Sequence, residues 1–102
     1  MPDRRAARWK MVEMTSTQVK KYQHGRLQDA FAEAYRLAGA PADAAMFSRR
    51  EGGRWRYYFS PEAARIAAPL LDLWRAVDVP PPQADGAKLM VGAPDAARLL
   101  DR

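Results

Sequence analysis

The stretch that decides the fold is Ala45-Met-Phe-Ser-Arg-Arg-Glu-Gly-Gly-Arg-Trp-Arg-Tyr-Tyr-Phe59. Gly52 and Gly53 can both take positive φ without steric cost, which a type I′ turn demands of its two central residues. Residues 46 to 59 therefore read as a β-hairpin turning at Gly52-Gly53, with arms Ala45–Arg50 and Arg54–Phe59. Side chains alternate along a strand. Trp55, Tyr57 and Phe59 point one way; Arg54, Arg56 and Tyr58 point the other. A two- or four-residue loop adds Met46 and Ser48 to the Trp55 face, and Phe47 and Arg49 to the arginine face. An odd loop exchanges the partners. The two-residue loop sets Arg49 opposite Arg56 and the four-residue loop sets it opposite Arg54. Both are repulsive pairs. An anion or an acidic neighbour is expected to complete this face.

Before the hairpin, Arg8-Trp-Lys-Met-Val-Glu-Met14 reads as a strand with neither face cleanly polar, as in a strand buried on one side and partly covered on the other. Thr15 and Gln18 fit a capping box. The apolar positions from Val19 through Phe31 and Tyr35 to Ala38 follow a helical stripe, weakened at Gly25 but read as one long helix. Gly39 suits the C′ position and Pro41 cannot continue the helix.

After the hairpin, Ser60-Pro61-Glu62 is a helix start: Ser60 caps, Pro61 suits N1 and Glu62 favours the positive end of the dipole. Pro69 is expected either to kink this helix near Ala68 or to open a new one carrying Leu70 to Val77. Pro80 to Gly86 is then a proline-rich loop, Lys88–Val91 a short strand, and Pro94-Asp95 the start of a last turn reaching Leu100. The order predicts an α+β fold, a small antiparallel sheet with helices on one face. The βαββαβ order of ferredoxin-like folds is its simplest form.

The chain has 102 residues, enough for one domain and too few for two, with 48% hydrophobic and 28% charged residues. Residues 1–7 are expected to be a flexible basic arm. Cysteine is absent, which excludes disulfides and thiolate metal sites. His24 is the single histidine and reads as a surface residue. No apolar run approaches the ~18 residues of a membrane helix, and the charged N-terminus has no apolar region behind it, so a cytoplasmic protein is expected. Arginine (13) far exceeds lysine (4), and alanine reaches 20, a usage typical of GC-rich bacterial genomes. The net charge of +5 is uneven: residues 1–56 hold 12 Lys/Arg against 6 Asp/Glu, and residues 57–102 hold 5 against 6. Such a field attracts nucleic acid, acidic proteins or membrane surfaces, and it also serves solubility.

The aromatic row Trp55, Tyr57, Phe59 has two readings. The run Gly53–Phe59 resembles the third-strand signature of the RNA-recognition motif, a basic residue and glycine followed by alternating aromatics. The resemblance spans seven residues, and here the basic residue follows the glycine. It implies exposed rings that stack on bases; in a basic-hairpin binding module, Trp55 or Tyr58 is the expected stacking residue. The plainer reading buries the row beneath the helices. The basic cluster is Arg49, Arg50, Arg54 and Arg56, with Arg4, Arg5, Arg8 and Lys10 in the N-terminal arm. Arginine forks suit phosphate and carboxylate; a solvated hairpin guarded by charge is the plain alternative. No nucleophile elbow, P-loop or dinucleotide glycine pattern occurs, no cofactor is implied, and Glu13 stands as a lone carboxylate. The leading expectation is a non-catalytic binding module whose basic hairpin contacts nucleic acid or an acidic protein. The alternative is a homodimeric ligand-binding protein or cofactor-free enzyme with a pocket between the sheet and the first helix.

Overall fold

The computed structural model describes residues 8–15 and 23–101. The proposed arm at 1–7, the capping position Gln18, and Val19 and Tyr22 lie outside the described residues, as does the side chain of His24. The elements are β1 (Trp9–Thr15), α1 (Gln23–Leu37), β2 (Ala45–Glu51), β3 (Arg54–Phe59), α2 (Pro61–Leu71), β4 (Val77–Val79), β5 (Lys88–Gly92) and a 3-10 helix (Ala96–Asp101). The five strands form one antiparallel sheet in the order β4-β1-β3-β2-β5.

The hairpin closes with Glu51 opposite Arg54, which leaves Gly52 (φ 57°) and Gly53 (φ 77°) as a two-residue turn. Register then places Arg49 opposite Arg56. Trp55, Tyr57 and Phe59 face the helices. Tyr57 and Phe59 are fully buried with Val12, Met14 and Met46 from the sheet, Leu27 and Phe31 from α1, and Ala63, Ala67 and Leu71 from α2. Phe31 meets Phe59 edge-on at 5.4 Å. The volume between the sheet and α1, where a pocket was an alternative, is filled by these side chains.

Helix α1 passes through Gly25 without a break. It ends as Gly39 allows: at φ 87° the chain turns so that Gly39 N–H donates to Arg36 O (3.0 Å) and Ala40 N–H to Tyr35 O (2.9 Å). Ser60 caps α2, accepting from Ala63 N–H at 3.3 Å. The same hydroxyl accepts from Ala45 N–H (3.0 Å) and donates to Asp43 O (2.8 Å), so one buried group ties the start of β2 to the start of α2.

Thr15 is the last residue of β1, and the helix start it was expected to cap lies outside the described residues. Two expectations need correction. Helix α2 runs through Pro69 to Leu71 and stops there, with no second helix to Val77. Pro69 falls in the last turn, where its missing N–H deprives only the Arg65 carbonyl of an intrahelical partner. Val77–Val79 is instead a strand beside β1, and Lys88–Gly92 joins β2 at the opposite edge.

This last placement has a steric consequence. The outer strands β4 and β5 are four strand spacings apart, about 19 Å. Residues 80–87 must bridge them across the sheet face away from the helices. A proline-rich chain advances about 3.1 Å per residue, so eight residues reach about 25 Å. Pro80-Pro81-Pro82 supplies that extended strap, and Pro82 within it is buried. A second core therefore fills part of this face: Trp9, Ala45, Phe47 and Tyr58 with Ala96 and Leu100 of the 3-10 helix, joined by Ala87 and Leu89. Trp9 and Phe47 pack at 5.8 Å.

Candidate functional site

The 3-10 helix and the strap cover the second face only at one end. Beyond the row Met11–Tyr58–Phe47, the next same-face positions are Glu13 on β1, Arg56 on β3 and Arg49 on β2, followed by Thr15, Arg54 and Glu51. Pairing of β1 with β3 thus brings Glu13 against arginines more than 40 residues away in the chain. The Arg56 Nε donates to Glu13 Oε2 at 2.8 Å and the Arg54 Nη1 to Glu13 Oε1 at 3.0 Å. Glu51 Oε2 lies 3.4 Å from Arg56 Nη1 and 3.8 Å from Arg49 Nε. The repulsion between Arg49 and Arg56, set by the two-residue turn, is answered by these two carboxylates.

The pairs shift the proton affinities in the directions charge dictates. Hydrogen bonding from Arg56 is the largest influence on Glu13 and holds its carboxyl below the ordinary glutamate value, with Arg54 adding to it. Arg56 is raised, chiefly by its bond to Glu13 and next by the Tyr58 hydroxyl. Glu13 was therefore misread as a lone surface carboxylate: nothing local in Met11–Thr15 reveals a partner supplied by strand pairing.

Three guanidiniums and two carboxylates leave the patch with a single excess positive charge. The side chain of Arg54 is 61% exposed, and those of Arg49 and Arg56 about half as much, so each can still donate outward. A shallow groove of about 410 Å³ runs between this patch and the strap, lined by Met11, Val79 and the three prolines on one side and Arg49 and Arg56 on the other. Gly86 sits against the Arg49 side chain; a Cβ there would lie 3.8 Å from its Nε.

The other residues expected at a site are placed elsewhere. Tyr58 is 7% exposed within the second core, so it has no open ring face for stacking. Trp55 packs against the helix-side core, with the Arg50 guanidinium 5.9 Å from its ring centroid. Arg50 therefore belongs to the opposite face from Arg49, Arg54 and Arg56. Lys10 lies on the helix side, bonded to Asp78 of β4 at 2.7 Å, and Arg8 is exposed just before β1.

No family model matches the chain, and no curated protein or solved structure does either. No described helix is long and apolar enough to cross a membrane.

Proposed function

We propose that the chain is a binding module that holds an anionic partner against the arginine half of the second sheet face, through Arg49, Arg54 and Arg56. One observation supports this reading above the others: strand register gathers three arginines on the half of the sheet that the described residues leave open, where Glu13 and Glu51 bond their forks. A guanidinium held by one carboxylate keeps further N–H donors for a second. The strap confines the partner to one side of the patch. Arg50 and Arg8 add to the positive field from outside the patch.

The ferredoxin-like arrangement belongs to the same proposal. Its support is the antiparallel order β4-β1-β3-β2 with α1 and α2 on one face. On this reading β5 is an added edge strand, and the strap exists because of that addition.

The test is fluorescence anisotropy with labelled polyanions, one an oligoglutamate and one a single-stranded RNA, at rising salt. Binding at low salt that weakens steeply as salt rises is expected. Absence of binding by both probes at low salt sinks the proposal. The variant R49Q/R54Q, which keeps Arg56 and its two carboxylates, should lose most of the affinity.

A further inference from the structure

Resting on that reading, we propose that the partner is an acidic protein segment carrying an apolar residue, laid along the proline strap, and not a nucleic acid. Three features of the groove carry this.

The first is the alternation of charge. Along the patch, Arg56 stands between Glu13 and Arg49, and Arg54 stands beside Glu51, whose carboxylate also lies 3.8 Å from Arg49 Nε. A nucleic-acid backbone carries a negative charge at every nucleotide and would bring phosphates against both carboxylates. A peptide can set its own carboxylates against Arg49 and Arg54 and turn amide N–H groups toward Glu51. Interleaved charge of this kind selects partners by penalising the wrong pattern.

The second is that no described residue offers an open ring on this face. Sequence-tolerant RNA and single-stranded DNA binding relies on aromatic platforms for the bases. Tyr58, the aromatic of this face beside the arginines, is buried in the second core. Trp55 lies across the sheet beneath Arg50.

The third is the groove itself. Its apolar side is Met11, Val79 and the three prolines of the strap, and its charged side carries Arg49 and Arg56 with Glu51. An apolar side chain seated there touches a methionine, a valine and proline rings while an adjacent carboxylate reaches the Arg49 fork. Phosphates and ribose have no group suited to that apolar side.

The experiment uses the full chain and three fluorescein-labelled probes of about a dozen units. They are an aspartate- and glutamate-rich peptide with one central leucine, the same peptide with serine in that place, and a single-stranded RNA. The leucine peptide is expected to bind about tenfold more tightly than the serine peptide, the worth of burying much of one leucine. R49Q should weaken the leucine peptide several-fold while leaving the circular dichroism spectrum unchanged. Equal affinity for the two peptides overturns the groove. Tighter binding of RNA than of the leucine peptide overturns the partner class and leaves the anionic reading standing. Failure of all three probes overturns both.

Discussion

Replacing Glu13 by glutamine tests how the arginine patch is held together. The carboxylate accepts from Arg54 at 3.0 Å and Arg56 at 2.8 Å, with side-chain exposures of 61%, 34% and 31% for Arg54, Arg56 and Glu13. Partly exposed pairs of this kind contribute about 0.5 kcal/mol each. Loss of both, with Arg49 and Arg56 left facing each other, gives E13Q a cost of about 1 kcal/mol at neutral pH and low salt. The dependence on conditions is the sharper part. Because Glu13 is held below its ordinary value in the folded chain, its contribution is complete above the ordinary glutamate range. It is lost as pH falls through the depressed folded value. The gap between wild type and E13Q should therefore narrow toward zero in acid, and it should also shrink at high salt. Urea denaturation followed by circular dichroism, across pH and at two salt concentrations, measures it. A gap that is independent of both pH and salt would mean that Glu13 acts by packing and that the charge argument is wrong.

Other perturbations test the framework that carries the patch. S60A removes a buried hydroxyl with three hydrogen bonds and should cost about 2–4 kcal/mol in urea melts, combining a lost cap with orphaned groups at Ala45 and Asp43. A loss near 0.5 kcal/mol would show that water replaces the hydroxyl. F31A empties a fully buried site against Phe59 and should cost about 3–5 kcal/mol by the same assay. G53A forces a side chain into φ 77° and should cost about 1–2 kcal/mol without altering binding at the sheet centre; a neutral result would mean that the turn relaxes to another type.

What the sequence reveals and what it hides separate along physical lines. The hairpin was legible because Gly52-Gly53 allows a two-residue turn, and alternation then sorts every side chain of both arms. The N-cap at Ser60 and the C′ glycine at Gly39 were legible for the same local reason. Val77–Val79 was not, because three residues at the end of an apolar run carry too little pattern to tell strand from helix. The second core escaped notice because it is assembled from Trp9, Phe47, Tyr58 and the distant 3-10 helix. Its one signal was that β1 has no cleanly polar face. The candidate site was half legible: Arg49, Arg54 and Arg56 sort to one face by alternation. Glu13 joins them only through the pairing of β1 with β3, and the strap that bounds the groove follows only from the positions of β4 and β5 at opposite edges.

The most direct test of the central claim is an amide-shift titration of the isotopically labelled chain with the leucine-bearing acidic peptide. The account predicts shifts concentrated at Met11–Glu13, Arg49–Arg56 and the amides that flank the three prolines, Val79 and Gln83, with little change along the helix-side core. Shifts confined to α1 and α2, or spread evenly over the surface, would contradict it.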